Sequence, residues 1–544
     1  MANLTGGQAL AQSLKKHGVD TIFGLPGIQL DWLFDGLYDL QASGDIKIYH
    51  TRHEQATTYM ADGYARTTGR PGVAIMVPGP GLLNGMAGLS TAYACNSPVM
   101  SISGQIRSDL IGVGRGELHE IPHQLEMMKS VTKWAQRAMK PDEIPAMVHE
   151  AFKQMLSGHV RPVHIEVPPD VLQAKADVEL FSMPQIEPVK PDPDVVEKAA
   201  EALGKAERPM IYVGGGVLRA EAWDEVRELA DMLEAPVVMS VNGKGVVSAR
   251  HHLGHSMMSA PDLTPNADAI LVVGTRFLQP SNSNYAPGDG QTLIQMDIDA
   301  EEIGRNHKPD IGIISDAKLG IAELIERVGK HNRARESRKD ELEALKAQQE
   351  DLLFEVQPQA SYAQAIREVL PEDGIVVNES TQVGYFSGVG FPVYHPRTFI
   401  GSGYQGTLGY GFATALGAQV GNPDKKVVSI NGDGGFYYNV QELSTMAKFN
   451  INMIAIVFND GAYGNVKRIQ QQSFDGRTIA SDLYNPEVAK TAEAFGVQGI
   501  KADGPDGLKS AMEEAMKSDV PTLIEVPVGE MPGMWHIVRR GQRT

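Results

Sequence analysis

Short apolar runs alternate along this chain with stretches in which apolar residues return every three or four positions. In the first 180 residues, segments 46–49, 73–77, 99–103 and 163–167 read as strands, with helical patterns between them. The same rhythm returns at 210–213, 236–240, 269–273 and 293–298, and again at 427–430 and 454–458. Strands that alternate with helices predict parallel, doubly wound sheets with helices on both faces. The opening MANLTGGQALAQSLKKHGVD reads as a capped amphipathic helix without the apolar centre of a signal peptide.

The pattern breaks twice. MPQIEPVKPDPD (183–194) is proline-rich and predicts an extended linker. KHNRARESRKDELEALKAQQE (330–350) is densely charged and predicts a solvent-facing helix that joins domains. The chain of 544 residues is too long for one core. The expected division is into three α/β domains, each a doubly wound parallel sheet, at 1–182, 195–328 and 357–544.

Composition narrows the class without naming the chemistry. A net charge of −18 argues against a nucleic-acid partner, and no run of about 18 apolar residues predicts a membrane span. The lone cysteine, Cys95, excludes an intrachain disulfide framework and fits a reducing, cytoplasmic location. It reads as a small buried residue on a helix. The histidines show no paired metal-ligand spacing, so zinc is not expected.

The most informative stretch is NGDGGFYYNVQELSTMAKFNINMIAIVFND (431–460). A strand runs into a glycine-rich turn that carries Asp433. A helix follows, with Leu443, Met446, Ala447 and Phe449 at helical spacing, and a second strand ends on Asn459-Asp460. Two oxygen donors at the carboxyl ends of parallel strands stand where open α/β sheets bind ligands. Hard oxygens suit Mg²⁺, and small glycines let a diphosphate approach the backbone.

This stretch resembles the GDG…N motif of thiamine diphosphate enzymes. The resemblance implies that Asp433, Asp460 (27 positions on) and the carbonyl of Ala462 hold Mg²⁺. The family usually has Asn where this chain has Asp460. Further segments agree: IFGLPGIQL (22–30), TRHEQATTYMADGYAR (51–66), VPGPGLLNGMAGLSTAY (77–93) and VRPVHIEVPPDV (160–171). Their order is similar to the pyrimidine-binding domain of the acetolactate synthase, 2-keto acid decarboxylase and 2-hydroxyacyl-CoA lyase branch. The domains are then pyrimidine-binding, central and diphosphate-binding in turn.

Glu54 maps onto the glutamate that hydrogen-bonds N1′ of the aminopyrimidine and so activates the cofactor. Pro26, Gly27, Pro80 and Asn84 are implied cofactor contacts from the first domain. From the last come Thr381, Gln382, Gly406, Leu408, Gly432, Gly434, Gly435, Tyr463, Gly464 and Asn465. Leu408 takes the place of the large apolar residue that props the cofactor into its bent shape. His119, in GRGELHEIPHQ, stands where acetolactate synthases carry a glutamine and is a candidate proton shuttle; an exposed loop histidine is the plain alternative. Ile469 stands in place of the tryptophan of the biosynthetic acetolactate synthases.

The resemblance implies decarboxylation and carboligation of a 2-keto acid, a small carbonyl substrate. It also implies a homodimer at minimum, commonly a homotetramer, because Glu54 and the GDG turn that share one site come from different subunits. A 2-hydroxyacyl-CoA lyase or a benzaldehyde-lyase-like 2-hydroxy ketone lyase is the alternative within the family, and a non-catalytic binding or regulatory protein the alternative outside it. Gly214-Gly215-Gly216 lacks full dinucleotide spacing, so FAD or a CoA/ADP moiety in the central domain is left open. Arg539, Arg540 and Arg543 make a basic tail that could meet a carboxylate or a CoA phosphate, or fray into solvent.

Overall fold

The computed structural model describes residues 2–278 and 287–538. The fold has three α/β units, each built on a six-stranded parallel sheet with helices on its faces, as the doubly wound pattern predicts. In the first sheet the strands lie in the order Lys47–Tyr49, Thr21–Gly24, Gly72–Met76, Val99–Gly104, Val163–Val167, Trp134–Arg137. Numbered by sequence within the domain, this is 2-1-3-4-6-5. The last sheet repeats that order with Phe399–Gly401, Ile375–Asn378, Val427–Gly432, Ile454–Asn459, Thr522–Pro527 and Gln498–Lys501. Nearly every strand residue of these sheets' central strands is buried, as parallel sheets covered on both faces require.

The central sheet is different. Its order, Gly254–Ser256, Val237–Met239, Pro209–Val213, Ala269–Val273, Thr292–Asp297, Ile311–Ile314, is 3-2-1-4-5-6. The direction of winding reverses between Pro209–Val213 and Ala269–Val273, which makes a ligand crevice at their carboxyl ends.

The outer domains meet through matching helices, each following the second strand of its sheet. Glu54–Thr68 packs on Tyr410–Gly421 so closely that side chains are excluded at the crossing. A Cβ on Gly63 would lie 2.0 Å from the Thr414 carbonyl oxygen, and one on Gly417 would lie 1.9 Å from that of Met60. One apolar core runs through both domains at this junction, from Tyr59 and Met60 to Phe412 and Leu416.

Three local expectations need correction. Residues Ala2–Thr5 form a strand that pairs antiparallel with Lys175–Val178 before the expected helix begins at Gly6, capped by Thr5 and Gln8. In the charged segment Lys330 and His331 end the preceding helix Ala317–His331, and the joining helix runs only from Lys339 to Phe354; it is not wholly solvent-facing, since Leu342 and Gln349 are buried. Ahead of it, the Arg335 guanidinium donates to the Leu203, Gly204 and Ala206 carbonyls at 2.8–2.9 Å and pins that stretch against the end of helix Pro193–Lys205. The helix expected after Asp433 is broken into Asp433–Phe436, Val440–Glu442 and Leu443–Lys448. Cys95 caps the helix Pro80–Ala94, and burial pushes its thiol up to about 11. No helix among the described residues is long and apolar enough to cross a membrane. Arg539, Arg540 and Arg543 lie outside the described residues.

Candidate active site

Asp433 begins the short helix after strand Val427–Gly432 and is 2 % exposed. Its Oδ2 accepts from the Gly461 N–H at 3.1 Å and from Asn485 Nδ2 at 2.5 Å. Asp460 follows the neighbouring strand Ile454–Asn459, and its Oδ1 accepts from the Ala462 N–H at 3.1 Å. Burial raises both carboxyls above their usual range, and the Asp433 charge helps to push Asp460 up to about 6. Two crowded carboxylates on a dry strand edge call for a cation or shared protons. Together with the Ala462 carbonyl, this oxygen-only donor set suits a hard divalent ion.

The glycines and the tyrosine around these acids are close-packed. A Cβ on Gly464 would stand 2.2 Å from Asp460 Oδ2, and one on Gly434 would stand 2.8 Å from the Tyr463 ring. A Cβ on Gly432 would come within 3.3 Å of the Thr381 side chain, and one on Gly435 within 2.3 Å of Glu379 Oε1. Thr381 caps the helix Gln382–Gly390. Gln382 and Asn465 are joined through Arg468, whose Nη1 donates to Gln382 Oε1 at 3.1 Å and Nη2 to Asn465 Oδ1 at 2.6 Å. Gly406 is exposed with φ +58°, and Leu408 is half-buried just ahead of helix Tyr410–Gly421.

Glu379, two residues before Thr381, is buried at the centre of this cluster. Its Oε1 accepts from the Gly409 N–H at 2.6 Å, and burial pushes the carboxyl up to about 8. Asn485 and Arg468 were not foreseen at all. Neither falls inside a motif, and each reaches the site only through the fold.

The second cluster lies in the first domain. Glu54 opens helix Glu54–Thr68 and is 8 % exposed; Asn84 Nδ2 donates to its Oε2 at 3.0 Å. Pro80 starts the helix that carries Asn84, and the preceding Gly79 N–H donates to Gln124 Oε1 at 2.9 Å. Gln124 is itself held by Glu166, so the turn rests on a buried polar layer. A Cβ on Gly27 would strike Val77 at 2.2 Å, and Pro26 beside it is exposed. His119 has φ +69°, and its Nδ1 faces Gln29 Oε1 at 3.1 Å while Gln29 Nε2 donates to the Leu118 carbonyl. It is therefore anchored beside the turn rather than loose in solvent.

Among the described residues, no hydrogen bond or ion pair joins Glu54 directly to Asp433 or Asp460. One link within the chain is Glu442, nine residues after Asp433. Its carboxylate accepts from the Arg52 and His53 N–H groups at 3.0 Å, at the entrance to the Glu54 helix.

The central domain contributes a cavity of about 720 Å³ at its winding reversal. Gly215, Gly216, Gly274, Asp297 and Asp316 line it, and Tyr385 and Trp535 reach it from the last domain.

Comparison with known proteins agrees with this architecture domain by domain. Residues 4–127 match the N-terminal TPP binding domain of thiamine pyrophosphate enzymes, 196–324 their central domain, and 382–526 their C-terminal TPP binding domain. The chain belongs to the thiamine pyrophosphate enzyme family. Within it the chain is similar to a probable acetolactate synthase large subunit of Methanocaldococcus jannaschii, at 32 % identity over 96 % of this chain and 92 % of that protein. It is also similar to the acetolactate synthase isozyme 3 large subunit of Escherichia coli K12, at 31 % identity over 95 % and 93 %. A probable 2-ketoarginine decarboxylase, AruI, of Pseudomonas aeruginosa is 32 % identical over 96 % and 94 %.

Proposed function

We propose that this protein is a thiamine diphosphate- and Mg²⁺-dependent enzyme that decarboxylates a 2-keto acid and joins the remaining fragment to a second carbonyl. The observation that carries this reading is the pair Asp433 and Asp460, crowded at adjacent strand ends, both carboxyls raised by burial and that of Asp460 also by the Asp433 charge. Mg²⁺ held by these two residues and the Ala462 carbonyl would relieve that repulsion and meet the diphosphate at the glycine turn. The bound cofactor supplies an electron sink for cleaving or forming a bond beside a carbonyl.

The chain's own residues do the rest. Glu54 has one oxygen engaged by Asn84, which leaves Oε1 to hold a proton against the cofactor's N1′. Leu408, half-buried, would supply an apolar prop, and His119, bonded to Gln29, would move a proton at the substrate side. The family resemblance implies that Glu54 and the Asp433 turn meet from different copies, so the complete site is proposed to form between two copies, a dimer at least and a tetramer in the full assembly. The relatives named large subunits support an assembly of more than one chain.

The test is to supply the purified protein with thiamine diphosphate, Mg²⁺ and pyruvate and follow products by mass spectrometry. Carbon dioxide with acetolactate or acetoin is the expected result. No release of carbon dioxide, with cleavage of a 2-hydroxyacyl-CoA instead, would overturn the 2-keto acid reading in favour of a lyase.

A second ligand is favoured by the central cavity. Its place at the reversal of a 3-2-1-4-5-6 sheet, beside two glycine turns, suits the diphosphate and adenosine of FAD or of a CoA/ADP moiety. Heat release of small molecules from the purified protein, followed by mass spectrometry, tests it; a titration with FAD and ADP that gives no binding would contradict it.

A further inference from the structure

We propose that Arg468 is an oxyanion-binding residue of the candidate active site, a role that none of its neighbours within the protein fulfils for it. Arg468 lies on helix Gly464–Ser473, which begins directly after the Asp460 loop, and is only 7 % exposed. Its guanidinium donates to two neutral amides, Gln382 Oε1 and Asn465 Oδ1. No carboxylate stands within 4 Å of it among the described residues. Arg338, the other arginine of comparable burial among the described residues, faces Glu341.

A guanidinium keeps its charge at any ordinary pH and carries five N–H donors. Burying it beside neutral groups alone is unfavourable unless an anion completes the site. The two amides also fix where that anion goes. Gln382 follows Thr381, which abuts the Asp433 turn, and Asn465 follows Gly464, which abuts the Asp460 carboxylate. Chain from the carboxyl-terminal side closes over the group, since a Cβ on Gly533 would lie 2.8 Å from Arg468 Cζ. The guanidinium is thus held like a fork, planar and oriented, between the two segments that bracket the candidate site.

Two sources offer the required oxyanion: the carboxylate of the substrate, and the diphosphate of the cofactor. The inference rests on the proposed function only in taking these as the ligands of the site. Affinities of the full-length protein for thiamine diphosphate with Mg²⁺, inorganic pyrophosphate with Mg²⁺, and pyruvate are compared by thermal shift in wild type, Arg468→Gln and Arg468→Lys. Arg468→Gln should weaken at least one ligand by about tenfold or more, with Arg468→Lys intermediate. Loss with the diphosphate and pyrophosphate assigns the residue to the cofactor; loss with pyruvate alone assigns it to the substrate carboxylate. Equal affinities for all three in Arg468→Gln overturn the proposal. Should that variant not fold, Arg468→Lys decides: it loses the fork, and wild-type affinity for every ligand would overturn the proposal equally. A wild-type protein that binds no thiamine diphosphate would instead refute the proposed function, which separates the two failures.

Discussion

Glu442 offers the sharpest energetic test of how the site is held. It is fully buried, its carboxylate accepts from the Arg52 and His53 N–H groups, and Thr445 Oγ1 donates to it at 2.6 Å. Burial raises its pKa, and these hydrogen bonds pull it back down. Glu442→Ala leaves two backbone N–H groups at the start of the Glu54 helix without their acceptor. At about 1–3 kcal/mol for each stranded group, the substitution should cost about 2–6 kcal/mol. Glu442→Gln keeps an acceptor oxygen and loses mainly the charge, so about 1–2 kcal/mol is expected. Hydrogen exchange read by mass spectrometry over residues 50–58 is the assay, with a urea melt as the overall measure. In the alanine variant the exchange should quicken there first, and kcat should fall more than cofactor affinity because Glu54 loses its fixed place. Wild-type protection over 50–58 together with unchanged kcat would refute the argument.

Three other outcomes follow from the same geometry. Burial lifts the Glu379 carboxyl to about 8, so the native state holds that proton more tightly than the unfolded chain. Its contribution is complete below the ordinary carboxyl pKa and is lost as pH rises through about 8. Glu379→Gln should flatten the fall in thermal midpoint between pH 5 and 9, and an unaltered slope would count against it. Excess chelator should release thiamine diphosphate on dialysis, and Asp460→Ala should bind it at least tenfold more weakly while Asp460→Asn, still an oxygen donor, keeps it; cofactor retained without divalent ion would contradict the metal bridge. Gly417→Ala places a methyl group 1.9 Å from the Met60 carbonyl oxygen and should destabilise the junction by about 3 kcal/mol, read as a lowered thermal midpoint. An unchanged midpoint would mean that the helices separate freely.

What the sequence made legible was local and periodic. Strand runs such as Val163–Val167 and Ala269–Val273 are found where the apolar pattern puts them, because parallel strands are buried on both faces. The placement of Asp433, Asp460 and Glu54 was legible because each sits where a strand ends and a helix begins, inside a motif of fixed spacing. The broken helix after Asp433 was not, since its breaks answer to distant partners: Asn439 Nδ2 donates to the Gly409 carbonyl at 2.7 Å, and Glu442 reaches Arg52. Strand Ala2–Thr5 depends on a partner more than 170 residues away, and periodicity carries no such information. The incomplete glycine pattern at 214–216 understated the central cavity, because strand order rather than loop spelling creates the crevice. Arg468 and Asn485 escaped notice for a related reason: only the folded chain brings Asn485 to Asp433 and Arg468 to Gln382.

The most direct measurement of the central claim needs no knowledge of the substrate. Exchange of the thiazolium C2 proton of bound thiamine diphosphate is followed by NMR after quenching, in wild type and in Glu54→Gln, both saturated with cofactor and Mg²⁺. Glu54→Gln should slow that exchange by about 10²-fold or more while the cofactor remains bound. Equal exchange rates in the two proteins would contradict the role of Glu54 and with it the proposed active site.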